Sequence, residues 1–485
     1  MLPWKSIIQL DRKQSLSLYL QIVQQVIHEI RNGHLSAGQK LPGTRYLADH
    51  LQVNRKTVVL AYEELAAQDW ITILPSQGAF VADKLPVLTA ANFQNQFFQQ
   101  GGRVAGFPIP DLPELRGHCI TPSGILKITD GSPDIRLAPM TSLYRHCRRI
   151  VEMGSGKKYL IYREVEGEGQ LREVLAGYLR ATRGLNCTSE ELLITRGSQM
   201  ALYLIFSVLL QSGGEVILGE TNYPVVEELV KHLGGKIHYA KVDKHGIVTD
   251  QVEALCAKHP ITAIYLTPHH HYPTTVTLSA ERRLQLLELS EKYGFAIVED
   301  DYDYDYHYSS GPLLPMASLD QAGTVIYVGS FTKCIAPSVR IGYLCAPKEV
   351  IIALSKVRKI LDRQGDPVLE RALAIMLSEG EIQAHLRKSV KVYRDRRDLF
   401  CQLLTAHFGG QISFSKPAGG MAVWCTFESD LSVDQLFNNA LEKGLWLEDA
   451  RQWWATSRSM RLGFASLNEK EMTIGIKAMT QVITK

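Results

Sequence analysis

Between residues 215 and 329 four short apolar runs, EVILG, AIYLTP, FAIVED and VIYVG, alternate with longer segments of helical periodicity such as AERRLQLLELSEKY. A strand that is apolar throughout has to be covered on both faces, and helices that cross over between consecutive strands supply that cover. The rhythm is already present in LREVLAGYLRA upstream. Residues 127–485 therefore predict an α/β domain built on a mostly parallel sheet with helices on both faces.

At 485 residues the chain exceeds what one core usually organises, and its first part has a different rhythm. LYLQIVQQVIHEI places Leu20, Val23, Ile27 and Ile30 at helical spacing, and GHLSAGQKLPGT then breaks the helix with glycines and a proline. A second helix is expected near Thr44 and a third over RKTVVLAYEELAAQDW, with an apolar stripe at Val58, Ala61, Tyr62 and Leu65. WITILPSQGAFVA alternates as two short strands about Ser76, Gln77 and Gly78. Helix, helix-turn-helix and hairpin make a winged helix over residues 12–83. Asn54, Arg55, Lys56 and Thr57 open the helix that would enter a DNA groove, Arg45 suits a phosphate or base edge, and the wing near Gly78 brings backbone close to a minor groove. Charge adds little to that reading, because Lys plus Arg exceed Asp plus Glu only by 9 to 7 in residues 1–84.

The stretch GHLSAGQKLPGTRYLADHLQVNRKTVVLAYEELAAQDWI resembles the winged-helix domain of GntR-type regulators across nearly all of residues 16–82. The resemblance implies operator contacts from Arg45, Arg55, Lys56, Thr57 and the wing, with Asn54 and Lys56 at positions that vary with the DNA sequence read.

Residues 84–126 lose the apolar periodicity and gain Gln, Asn, Pro and Gly, as in a linker. The eight cysteines include no CxxC pair, which argues against disulfide frameworks and zinc sites and for reduced thiols in the cytoplasm. The longest apolar run, LYLIFSVLL, is about half a membrane span, so neither secretion nor spanning is expected.

In a parallel sheet the carboxyl ends of the strands carry the site. Three stretches fall there. TRGSQ ends a strand and opens an apolar helix at Gly197, Ser198 and Gln199, aiming backbone N–H groups at an anion. VEDDYDYDY delivers carboxylates and phenols, a set that suits a planar aromatic ligand whose ring nitrogen pairs with Asp300 and whose phenolic oxygen accepts from Tyr302. GSFTKCIAPSVR places Lys333 beyond Ser330 and Thr332 and seven residues before Arg340. An amine beside a phosphate cup, a carboxylate and a phenol is what a Schiff base to pyridoxal 5'-phosphate requires, with Ser330, Thr332 and Arg340 on the phosphate. The run His269-His270-His271 invites a metal, but neighbouring side chains on an extended segment point alternately, so no metal site is expected.

Residues 127–482 resemble a fold-type I aminotransferase with a smaller C-terminal α+β part, and together with the GntR-like head they resemble the MocR family of regulators. The resemblance implies Lys333 as the imine-forming residue, Arg340 on the phosphate, and Asp300 and Tyr302 on the ring. It also implies Tyr223 of ETNYP stacked on the ring, Tyr162 reaching a neighbouring subunit's phosphate in a homodimer, and Arg461 of SMRLGFA on a substrate carboxylate. The chain departs from the family in reading His270-His271-Tyr272-Pro273-Thr274-Thr275 where His-Gln-Phe-Pro-Thr-Gly is usual, and in carrying Val225 where some members have arginine. Trp453, Trp454 and Arg451 are expected near the entrance. The expected function is regulation of transcription by a protein that senses an amine, an amino acid or the cofactor itself. The rival is a working aminotransferase with an accessory DNA-binding head, Lys333 serving as base.

Overall fold

Gly43 and Asn54, each extended at φ near −60°, introduce the second and third helices of the N-terminal bundle, which comprises Leu18–Arg31 (α1), Thr44–Leu51 (α2) and Arg55–Ala67 (α3). The computed structural model describes residues 4–14, 16–85, 105–109, 124–211, 213–308, 313–447 and 457–483, and the chain divides into two units, Met1–Pro110 and Asp111–Lys485. Most of the 84–126 segment, and Arg451, Trp453 and Trp454, lie outside the described residues.

In the first unit α1 packs on α3 and buries Ile22, Val23, Val26 and Ile30. The expected stripe is thus rotated: Leu20 and Ile27 are only half-buried, because the i, i+4 row of Ile22, Val26 and Ile30 faces the shared core with Trp4, Ile8 and Trp70. On α3 the stripe lies as expected, with Val58, Ala61, Tyr62 and Leu65 all buried. Asn54 precedes α3 as its cap, its side-chain oxygen accepting the Lys56 N–H at 2.9 Å. Ile71–Leu74 (β1) and Gly78–Val81 (β2) pair antiparallel, closed by Ser76 at φ 63° and Gly78 at φ 112°.

The second unit is organised by seven strands: Leu192–Thr195 (β3), Glu215–Gly219 (β4), Lys236–Ala240 (β5), Ile261–Leu266 (β6), Ala296–Asp301 (β7), Val325–Ser330 (β8) and Gly342–Cys345 (β9). Their order in the sheet is β3-β9-β8-β7-β6-β4-β5, and every pairing is parallel except those made by β9. From β3 the chain crosses to β4 on the far side, so the carboxyl ends of β3, β4, β6, β7 and β8 share one edge with the start of β9. The helix Gly197–Leu209 fills the space behind that edge. Its Ala201, Leu202, Leu204, Ile205 and Phe206 are fully buried, and at about 1.5–3 kcal/mol for each large side chain this anchors the helix N-terminus at the edge. A smaller α+β part follows: an antiparallel sheet of Ile412–Phe414, Ala422–Phe427 and Ser459–Gly463, packed with the helices Glu381–Phe408 and Glu469–Ile483. Leu126, the last residue assigned to the linker, opens the strand Leu126–Ile128, which pairs with Leu445–Leu447. No helix among the described residues is long and apolar enough to cross a membrane.

Candidate functional site

Register brings three distant stretches together. Ser330 at the end of β8 sits opposite Gly342 at the start of β9, and Gly342 sits opposite Thr195 at the end of β3. Gly197, at φ +76°, follows Thr195 and opens its helix; a Cβ there would lie 3.1 Å from the Arg340 guanidinium, and one on Gly342 would lie 2.8 Å from the Gly197 backbone. The absence of side chains at both positions lets Arg340 lie across the helix N-terminus, where its Nη2 donates to the Arg196 carbonyl at 3.0 Å. A guanidinium against unpaired helix N–H groups is an anion seat. Ser198 is half-buried beside it, and Ser330 Oγ accepts the Thr332 N–H at 3.1 Å. The Thr332 Oγ1 is buried with no hydrogen-bond partner.

Beyond that seat, Lys333 donates from Nζ to the Gly131 carbonyl at 2.9 Å, and its own carbonyl accepts from Tyr306. Strand alternation on β7 sends Asp300 to the face opposite Glu299 and Asp301. Asp300 Oδ2 accepts from Tyr265 at 2.9 Å, while Oδ1 is buried without a partner. Burial pushes this carboxyl up to about 7; the Tyr265 hydrogen bond opposes the rise and the charges of Asp301 and Asp303 add to it. A cationic ring nitrogen against Oδ1 would supply the missing partner. Tyr223 meets Tyr272 edge-on at 5.3 Å between ring centroids, and its hydroxyl accepts from Gln199 at 3.2 Å. These features fit pyridoxal phosphate: an anion seat, a carboxylate with a free oxygen, an aromatic face and an amine.

Arg461 is buried at 2% exposure above the Tyr272 ring. Its Nε donates to Asp130 O at 2.6 Å, Nη1 to Pro273 O at 3.0 Å and Nη2 to Tyr302 Oη at 3.2 Å. Five guanidinium donors less these three leave one N–H on each terminal nitrogen. Tyr302 in turn donates to the His270 carbonyl at 2.9 Å. The three histidines have three separate settings: His269 faces Asp301 at 3.1 Å, His270 holds Asp303 at 2.7 Å, and His271 meets Thr274 at 2.8 Å. Burial, with the Arg461 charge adding to it, pushes His271 down to about 4, a neutral imidazole.

Tyr162 is 73% exposed, with the Arg363 guanidinium 4.2 Å from its ring centroid. Sequence reasoning missed Tyr265, which reads as one more apolar position in AIYLTP, and the carbonyls of Asp130 and Gly131, which carry no side-chain signal.

In the first unit Arg45, Asn54, Arg55, Lys56 and Gly78 are exposed and Thr57 is half-buried. Arg55 Nε donates to Thr44 Oγ1 at 3.4 Å, linking the starts of α2 and α3. Arg55 and Lys56 line a hollow with Val59 and Leu60, the latter 50% exposed; sequence reasoning passed over both apolar residues.

Residues 18–81 match the bacterial regulatory proteins of the gntR family, and residues 133–479 match aminotransferase class I and II. The chain is 28% identical to the probable rhizopine catabolism regulatory protein MocR of Rhizobium meliloti, over 97% of this chain and 94% of that protein. It is also 28% identical to the HTH-type transcriptional regulator TauR of Rhodobacter capsulatus, over 96% of each. Among solved structures, the α-aminoadipate aminotransferase LysN of Thermus thermophilus, complexed with N-(5'-phosphopyridoxyl)-L-leucine, superposes with a TM-score of 0.69 at 25% identity, covering 75% of this chain and 92% of that one. The chain belongs to the pyridoxal-phosphate-dependent aminotransferase class I and II family, in the MocR-type group that carries a gntR-family DNA-binding domain at its head.

Proposed function

We propose that this protein is a dimeric, cytoplasmic transcriptional regulator that binds operator DNA through its winged helix and reads a primary amine, an amino acid or the cofactor itself at the carboxyl edge of its large sheet. One observation carries the reading: a chain whose residues 18–81 match a DNA-binding family also holds, at the carboxyl edge of one sheet, an amine, Lys333, and a buried carboxylate with a free oxygen, Asp300.

Bound pyridoxal phosphate supplies an aldehyde that condenses reversibly with primary amines and a ring that withdraws electrons. Lys333 would offer its Nζ to that aldehyde, leaving the Gly131 carbonyl. Arg340, Ser330, Thr332 and the N–H groups of Gly197, Ser198 and Gln199 would hold the phosphate. Asp300 would keep a proton on the ring nitrogen, Tyr302, turning its O–H from the His270 carbonyl, would donate to the phenolic oxygen, and Tyr223 would cover the ring. Tyr162, exposed on the surface, would reach the phosphate of a second chain. The charge and the two remaining N–H groups of Arg461 favour effectors with a carboxylate. Regulation then needs only that an amine in the site has different affinities for two states of the dimer, one of which presents its two winged helices to two half-sites.

The test measures salt-dependent binding to the promoter region next to the gene, with and without pyridoxal phosphate and candidate amines, alongside amino transfer to several oxo acids. Sequence-specific binding that shifts with the amine supports the proposal. Rapid turnover together with indifference to DNA sequence would refute it in favour of an aminotransferase.

A further inference from the structure

We infer that Glu215, His238 and His259 form a divalent-cation site at the amino edge of the large sheet, the end opposite Lys333, where an imidazole-preferring ion such as Zn2+ would tie three chain segments together. The three side chains each place a ligand atom within 4.8 Å of the others. Glu215 opens β4, paired with Lys236 on one side and Ile261 on the other. His238 lies two residues beyond Lys236 on β5, so alternation puts both on one face. His259 precedes β6 in a turn whose backbone is held at both ends, its N–H on Leu255 O at 2.9 Å and its carbonyl taking the Ile261 N–H at 2.9 Å.

The ligand atoms are already close. His238 Nε2 lies 2.5 Å and His259 Nδ1 3.6 Å from the same oxygen, Glu215 Oε2, and the two rings are 4.1 Å apart at 32°. Side-chain exposures of 17%, 11% and 33% leave the group half-buried with a way in for solvent. Two imidazoles and a carboxylate make the donor set of many protein zinc sites, with room for a water in the remaining position. Supports on two strands and a braced turn keep the entropy of assembling the site low. One charge stands against it: Lys236 Nζ lies 3.3 Å from Glu215 Oε1, though its side chain is 61% exposed and free to swing away. The site is separated from the Gly219 end of β4 by about 13 Å of strand, so an ion there acts as a staple on the scaffold.

The test is titration of metal-free full-length protein with Zn2+ alone, by calorimetry and by thermal unfolding. Stoichiometric binding is expected, with His238→Ala and His259→Ala each weakening it by about 10-fold or more and Lys236→Met strengthening it. His146→Ala, which alters the other His/Glu group of His146, Glu379 and Glu381, should leave this binding in place. Circular dichroism of each variant guards against unfolding, and the Lys236→Met arm needs no ligand removed. Absence of binding below millimolar Zn2+, or equal binding by wild type and the His238→Ala/His259→Ala double variant, overturns the inference.

Discussion

Replacing Asp300 by Asn should make the cofactor-free protein more stable while weakening its hold on pyridoxal phosphate, and the first effect should grow with pH. Burial raises the Asp300 carboxyl from 3.8 to about 7. Between these two values the folded chain keeps a proton that the unfolded chain has released. Stability therefore falls as pH rises through that window and is level above it. The penalty from this one group is about 2 kcal/mol at pH 5 and about 4 kcal/mol at pH 8. Asparagine is close to isosteric, can still accept from Tyr265, and has no charge to bury. Its advantage over the wild type should thus widen by about 2–3 kcal/mol between the two pH values, read as the displacement of urea unfolding curves of cofactor-free protein. In the same variant the charge-assisted bond to a protonated ring nitrogen is lost. At about 1.5–3 kcal/mol that weakens cofactor affinity by about 10- to 150-fold, measured by titration of visible absorption. An Asn variant whose stability advantage is the same at pH 5 and pH 8 refutes the account of the carboxyl, and one that binds the cofactor like the wild type refutes the pairing. A group that costs the empty protein stability and is kept for its ligand fits a functional site.

Lys333→Ala should abolish the borohydride-fixable adduct and its visible band while leaving the circular dichroism spectrum unchanged; persistence of the adduct would place the reactive amine elsewhere. Gly197→Ala forces a Cβ to within 3.1 Å of Arg340 at φ +76°; with left-handed strain of about 1–2 kcal/mol, it should weaken binding of pyridoxal phosphate more than that of pyridoxal, which lacks the anion. Arg55→Ala should weaken DNA binding by about 1–3 kcal/mol if the residue reads a base, and should lower the slope of log affinity against log salt by about one if it meets a phosphate; no change in either quantity would remove Arg55 from the interface.

The helices and strands were legible because their signals are local. Apolar periodicity marks α3 through Val58, Ala61, Tyr62 and Leu65, and continuous apolar runs mark β4, β6, β7 and β8. The rotation of α1 was not legible, since Leu20 and Ile22 are equally apolar and only the position of α3 decides which is covered. Candidate residues with side chains in unusual contexts, such as Lys333 among glycines and hydroxyls, stand out in a string of letters. Those that enter the candidate site through backbone carbonyls, Asp130 and Gly131, or that look like ordinary core, Tyr265, do not.

From the amino-acid order alone came the two kinds of domain, the α/β class and the residue types able to serve a phosphate, a ring nitrogen and an aldehyde, because spacing and turn chemistry act over a few residues. Tertiary structure decided which of these meet: β9 runs against its neighbours and places Gly342 between Ser330 and Thr195, stretches separated by more than a hundred residues. It also decided that Asp300 keeps one oxygen free and that Glu215, His238 and His259 share a corner. Strand order and register are set by the packing of the whole sheet, a long-range property that no local window of sequence contains.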